Sequence, residues 1–236
     1  MSIHSPITPE RGGRAGLASF MAMKIRMATA IVAVVAVTAC VANQPPAGKP
    51  GPAAQSAPAT QEAVEGTVHV CSSCHGFQGR SISPTFPRLA GQQKDYLVAQ
   101  LKAFRDKTRA DPHAKTYMWG MAAHLSDATI EGIAAYYSAQ TPVAGEPNSS
   151  SQVAAGATIF AKGIPSEKVP ACAGCHGPKA AGMGPIPRLA GQHSAYIARQ
   201  LAAFASNARA NPIMHANSIG LTPEQITDLS AFIATQ

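Results

Sequence analysis

Charged residues make up only 13% of this 236-residue chain and aromatic residues only 6%, with a single Trp. No apolar run reaches the roughly 18 to 20 residues of a membrane-spanning helix, which excludes a polytopic membrane protein. A basic stripe is missing too. The formal charge is +7, yet Arg11, Arg14, Lys24 and Arg26 against Glu10 fall within the first 39 residues, and the remainder holds 15 basic and 11 acidic residues. A scattered excess of +4 does not build a phosphate-binding surface, so nucleic acid is not an expected partner. No stretch shows the two-residue alternation of a half-buried strand. A mean hydropathy of +0.01 with a steady supply of Leu and Ile excludes a wholly disordered chain. What is left is a helical chain, long enough for one large or two small domains.

The amino terminus reads as an address. Lys24 and Arg26 precede the apolar stretch Met27 to Ala39, which ends in small residues, the layout of a secretory signal. Val37-Thr38-Ala39-Cys40 resembles the bacterial lipoprotein cleavage box, in which the cysteine thiol receives a diacylglyceryl group. Residues 1–39 are therefore expected to be a lipoprotein-type signal peptide, with Met21 and Met23 as alternative starts, and Cys40 the lipidated first residue of the mature chain. An ordinary secretory signal followed by a chance cysteine is the competing reading. Two features favour lipidation: the other four cysteines are fully accounted for by paired motifs, and residues 40–61 are rich in Pro, Ala and Gly, as suits a flexible tether.

The rest is an internal repeat. Cys71-Ser72-Ser73-Cys74-His75 recurs as Cys172-Ala173-Gly174-Cys175-His176, Pro87-Arg88-Leu89-Ala90-Gly91-Gln92 as Pro187-Arg188-Leu189-Ala190-Gly191-Gln192, and Arg109-Ala110-Asp111-Pro112 as Arg209-Ala210-Asn211-Pro212. The expected domains are residues 62–140 and 153–236, joined by a connector at 141–152. Leu97, Leu101 and Phe104, like Ile197, Leu201 and Phe204, fall at helical spacing. Ser126 and Thr222 are placed to cap a final helix in each copy, the second with a capping box to Gln225. The expected class is all-α, two tandem domains each of about 80 residues, a size that usually needs a staple beyond its own core.

The two C-x-x-C-H motifs supply the staple. Two thiols on one helical turn can add to the two vinyl groups of one haem, and the following His reaches its iron. Cys71 and Cys74, and Cys172 and Cys175, are thus expected to hold two covalent haem c groups, with His75 and His176 as proximal ligands. A zinc ribbon wants its second Cys pair roughly 15 to 20 residues on, whereas 98 positions separate Cys74 from Cys172. A thioredoxin-like dithiol expects a βαβ setting that is absent. For the sixth ligand, counting back seven residues from Leu125 and from Leu221 gives Met118 and Met214. Met121 competes with Met118; Met183 is too close to His176 in the chain to reach the far face easily. His113, His124 and His215 also lie near the distal segments. The carbonyls of Pro87 and Pro187 are placed to accept from the second nitrogen of each proximal imidazole. Arg88, Arg188, Tyr96 and Tyr196 are candidates for haem propionates or for plain packing.

These residues resemble the cytochrome c4 family, tandem class I cytochromes c with one haem per half. The resemblance rests on C-x-x-C-H, then Pro87 to Gln92, Tyr96-Leu97, Gln100-Leu101, Phe104, Met118, Leu125-Ser126-Asp127 and Ala134-Ala135-Tyr136, with near copies in the second half. It covers about residues 62 to 236. It implies His/Met-ligated haems facing each other across a pseudo-twofold interface, and a periplasmic carrier passing electrons from a quinol-oxidising complex or dehydrogenase to a terminal oxidase. Two departures stand out: the first copy has only Glu62 to Val70 ahead of its motif, and it carries four extra residues between Pro112 and Leu125. A lipid anchor adds a membrane to the partners. The competing functions are a diheme oxidoreductase with one catalytic haem, and a haem subunit held permanently in a dehydrogenase or oxidase complex.

Overall fold

The computed structural model describes residues 58–236; the signal segment, Cys40 and most of the tether lie outside the described residues. Thr60 caps helix α1 (Gln61–His75), its side chain accepting from the Ala63 N–H at 3.3 Å. Val64, Val68 and Cys71 repeat at i, i+4 and i+7 with no proline between them, so α1 runs unbroken through the C-x-x-C-H motif and stops at Gly76. The first half thus has an amino-terminal helix of 15 residues, fused to its motif. The second half is built differently. Its helix α5 (Ser150–Lys162) ends at Gly163, and a turn around Pro165 closed by the Ile164–Val169 bridge leads to the short α6 (Ala173–His176). The first turn of α5 lies inside the 141–152 connector.

Each half continues with a 12-residue helix, α2 (Lys94–Arg105) and α7 (Ser194–Ala205). Here the halves diverge again. The first has a π-helical turn, Ala114–Met118, running into α3 (Trp119–Ala122), where the second has α8 (Pro212–Ser218). The final helices are α4 (Asp127–Ser138) and α9 (Pro223–Ala234). Ser126 Oγ accepts from the Thr129 N–H at 3.0 Å, and Thr222 with Gln225 forms the reciprocal box. Among the described residues there are only isolated bridges and no strand, and no helix is long and apolar enough to cross a membrane.

α1 and α2 pack on α4, and α5 and α7 on α9. The terminal-helix crossings are tight enough to require glycine: a Cβ at Gly132 would strike Val64, and one at Gly156 would overlap the Asp228 carbonyl and Phe232. Val68, Leu97, Ile133, Ala134 and Tyr137 form the first core; Phe160, Ala180, Ala190, Ile197, Leu229 and Ile233 form the second. The repeated P-R-L-A-G-Q segments join loop to helix identically in kind. Leu89 and Ala90 donate to the Gly79 carbonyl and Gly91 to Tyr137 O, while Leu189 and Ala190 donate to Ala180 O and Gly191 to Ile233 O. Gly91 and Gly191 sit at φ 66° and 68°, the left-handed conformation that admits glycine readily. These segments turn inward, and there the two halves meet.

Candidate functional site

In the first half, one turn of α1 presents Cys71, half-buried, and Cys74, exposed, and ends at His75, of which only 7% is exposed. His75 Nδ1 lies 2.9 Å from the carbonyl oxygen of Pro87. That acceptor demands a proton on Nδ1, which leaves Nε2 as the free lone pair. The second half repeats the arrangement, with Cys172 half-buried, Cys175 exposed, and His176 Nδ1 3.1 Å from Pro187 O. Burial lowers the pKa of both histidines, partly offset by the proline carbonyls, and burial raises those of Cys71 and Cys172.

His75 opens on a cavity of about 1070 Å³, its open mouth included. Cys71, Phe86, Leu97, Phe104, Met118, Ile133 and Tyr137 give it apolar walls, and residues of the second half from Pro187 to Gln200 close its inner side. Met118 is half-buried, packed against Phe104, Ala114 and Ala122, and lines this cavity. Met121 does not; it is 49% exposed and lines a second depression between α1 and α3, which Met118 and Cys71 also border. The four extra residues fall in the π-helical turn, so Met118 stands seven residues beyond Asp111, whereas Met214 stands three beyond the equivalent Asn211, in the first turn of α8. Met214 is half-buried and its N–H donates to Asn211 Oδ1 at 2.9 Å. Met183 is 70% exposed. His215 is engaged with the Phe204 carbonyl at 2.8 Å, His124 is exposed, and His113 stacks edge-on against Tyr117 at the cavity wall.

At the pseudo-twofold interface the halves exchange hydrogen bonds in matched pairs. Arg88 N–H donates to Gln192 Oε1 (2.8 Å) and Gln192 Nε2 to Arg88 O (3.0 Å); Arg188 N–H donates to Gln92 Oε1 (2.7 Å) and Gln92 Nε2 to Arg188 O (2.9 Å). Gln93 Nε2 donates to Ala181 O and His193 Nε2 to Ser81 O, each at 3.0 Å. Deeper in, two guanidiniums cross. Arg109 donates to Gln100 and Gln200 (2.9 and 2.8 Å), Arg209 to the same two side chains (2.7 and 2.6 Å), and Arg209 to Tyr96 Oη at 2.9 Å. Asp111, 2% exposed, accepts from Arg109 Nε at 2.9 Å; its counterpart in the other half is the neutral Asn211. Arg88 instead bonds Gly191 O, Ser81 O and, through Nη2, Glu146 of the connector.

The residues present suit covalently held haem. Each motif offers two unpaired thiols on one helical turn and a histidine with Nε2 free. The cavity is apolar at its walls and is lined by three guanidiniums, Arg88, Arg109 and Arg188, against one carboxylate, Asp111, a balance that carboxylate-bearing ligands correct. Tyr137 Oη, fully buried on the cavity wall, has no hydrogen-bond partner among the described residues. No three His, Cys, Asp or Glu side chains converge among them as a metal cage would require. Sequence reading did not give a role to Gln92, Gln192, Gln100, Gln200, Arg109 or Arg209. Their recurrence at a fixed offset of 100 was the available signal.

A pair of covalent haem sites, each on a small helical domain, defines a cytochrome of the c type. The cytochrome c family model matches residues 49–139 and again 153–236, and the chain belongs to that family. It is 42% identical over 171 residues to cytochrome c-552 of Acidithiobacillus ferridurans, covering 70% of this chain and 73% of the relative. It is 34% identical over 174 residues to a thiosulfate dehydrogenase electron acceptor of Thiomonas intermedia, covering 70% and 78%. The solved structure of Acidithiobacillus ferrooxidans cytochrome c4 matches with a TM-score of 0.68 at 40% identity, over 70% of this chain and 98% of that one. Within the family this chain is therefore a tandem, two-haem electron-transfer cytochrome of the cytochrome c4 type, with one covalently bound haem c in each half.

Proposed function

We propose that the protein is a periplasmic electron shuttle without substrate chemistry of its own, held to a membrane through lipidated Cys40. It takes electrons from a quinol-oxidising complex or a dehydrogenase and delivers them to a terminal oxidase. Cys71, Cys74, Cys172 and Cys175 form the thioethers; His75 with Met118 and His176 with Met214 ligate the irons; Pro87 and Pro187 fix the proximal imidazoles. When bound, each haem would supply a one-electron couple, and ligation by one methionine sulfur and one histidine nitrogen would close the iron to exogenous ligands and raise its potential. The protein's own part is to hold each Nδ1 proton on a proline carbonyl and to bury the ring.

The observation that carries this reading is the matched pair of His–Pro carbonyl contacts in two halves that each also offer a half-buried methionine. Met118 is favoured over Met121 because it shares the cavity with His75. Full-length protein matured with the haem-attachment machinery is expected to show two haems per chain, the far-red sulfur-to-iron band when oxidised, and no carbon monoxide binding when reduced. Met118→Ala and Met214→Ala should each remove about half of that band, and Met121→Ala should leave it intact. Carbon monoxide uptake by one haem of the unaltered protein would refute the carrier reading in favour of catalysis at that iron. A second reading, a dedicated acceptor for a dehydrogenase, is favoured by the likeness to a thiosulfate dehydrogenase electron acceptor. Stable co-purification of such an enzyme after detergent extraction distinguishes it from a free shuttle.

A further inference from the structure

The peptide between Pro87 and Arg88 is hydrogen-bonded at both ends. Its carbonyl oxygen faces His75 Nδ1 at 2.9 Å, and its N–H donates to Gln192 Oε1 at 2.8 Å, a side chain from the other half. The Pro187–Arg188 peptide repeats this, with His176 at 3.1 Å and Gln92 Oε1 at 2.7 Å. Both glutamines also return a bond to the Arg carbonyl, so each is clamped at its oxygen and its nitrogen. Gln92 and Gln192 are 8% and 6% exposed, so water competes little for these contacts.

An acceptor on a peptide N–H shifts electron density toward the carbonyl oxygen of the same peptide, and hydrogen bonds in such chains strengthen one another by about 10 to 30% in a low-dielectric interior. A stronger Nδ1–H···O=C bond makes the imidazole a better donor at Nε2, which favours the oxidised metal. We infer that Gln192 and Gln92 are crossed positioning residues: each sets the donor strength of the ligand histidine in the opposite half, so that the interface itself tunes both reduction potentials. Neither glutamine reaches its own half's histidine through this path. The inference rests on His75 and His176 being the proximal ligands.

The test is Gln192→Met and Gln92→Met in the full-length two-haem protein, which keep the side-chain length and remove both amide bonds. An NMR-monitored redox titration, with the His75 and His176 Nδ1–H resonances assigned in the reduced protein, reads each half separately. Gln192→Met is expected to shift the His75 haem toward the reduced form by about two- to fivefold in its redox equilibrium, less than the roughly 10- to 100-fold effect of a direct partner of a metal ligand, because one peptide group intervenes. The His75 Nδ1–H resonance should move upfield as its hydrogen bond weakens, while the His176 site moves less than half as far. Gln92→Met should give the mirror pattern. If either variant fails to load two haems, Gln192→Asn and Gln92→Asn, which keep the amide but fall short of the Arg backbone, replace it.

Equal shifts at both sites, a shift in the variant's own half, a shift toward the oxidised form, or no shift would each overturn the crossed coupling. Failure of the ligand reading is separately visible. Unaltered protein in which either iron is not low-spin, or in which His75→Gly and His176→Gly leave the iron spectra unchanged, removes the histidines as ligands and the inference with them. Low-spin, histidine-ligated irons with unmoved resonances in the glutamine variants would remove the coupling alone.

Discussion

Among the described residues Asp111 is the only carboxylate bonded to the crossed guanidiniums at the interface, and Asp111→Asn removes it. Asp111 accepts from Arg109 Nε at 2.9 Å and from the Ala114 N–H at 3.4 Å, and Arg109 and Arg209 share both Gln100 and Gln200. Removing one partner of a buried ion pair while leaving the other typically destabilises by about 3 to 5 kcal/mol. Asparagine is nearly isosteric and already occupies position 211 in the other half, so no cavity forms and the loss is electrostatic. We expect the low end, about 3 kcal/mol at pH 7, read as a lower urea midpoint at unchanged slope. Burial works to raise the Asp111 pKa, but the Arg109 charge and hydrogen bond, with Arg209 adding, bring it below the usual value. A depressed carboxyl contributes stability that is whole above its unfolded pKa of about 3.9 and fades as pH falls through the folded value. The gap between the two proteins should therefore be flat from pH 7 to about 4 and close below it. A difference under about 0.5 kcal/mol at pH 7, small against the expected 3, would refute the reasoning, because it would mean that the guanidiniums already have sufficient anionic partners without Asp111.

Three further outcomes follow from other contacts. His193 is pushed down by burial and then by Arg88, so the unfolded chain takes up its proton first. The interface should keep its stability above about pH 6.5 and lose it as pH falls further. His193→Gln, which copies Gln93 of the first half, should flatten urea midpoints between pH 7 and 5, and an undiminished slope would show that His193 is not its source. Gly156→Ala places a methyl against the Asp228 carbonyl and should destabilise by about 1 to 3 kcal/mol, seen as a lower thermal midpoint; a neutral result would mean the α5–α9 crossing relaxes freely. Thr222→Ala removes the oxygen that accepts from the Gln225 N–H and should lose about 1 kcal/mol in the same assay, an unchanged midpoint arguing that α9 is held by packing alone.

The all-α class, the duplication and the haem-binding motifs are legible in residue order alone, because each rests on local chemistry. Thiols three residues apart next to a histidine, Ser126 and Thr222 at helix starts, and apolar residues at helical spacing are legible without knowing what packs against them. The proline carbonyls behind His75 and His176 were legible by the same token, once a proximal imidazole was granted its need for an acceptor. Other features depended on partners far away in the chain. The apolar spacing from Val64 to Cys71 lets α1 run unbroken into its motif, but where α1 lies was decided by its packing on α4, which holds Val64 against Gly132. Met118 and Met121 differ little in sequence terms; the π-helical turn turns one toward the cavity of His75 and leaves the other half exposed. Arg109, Arg209 and the four interface glutamines are ordinary polar residues on surface-like stretches until the halves dock. Their roles arise from pairing across about 100 residues of chain, and a buried hydrogen bond between such distant groups leaves no periodicity to read.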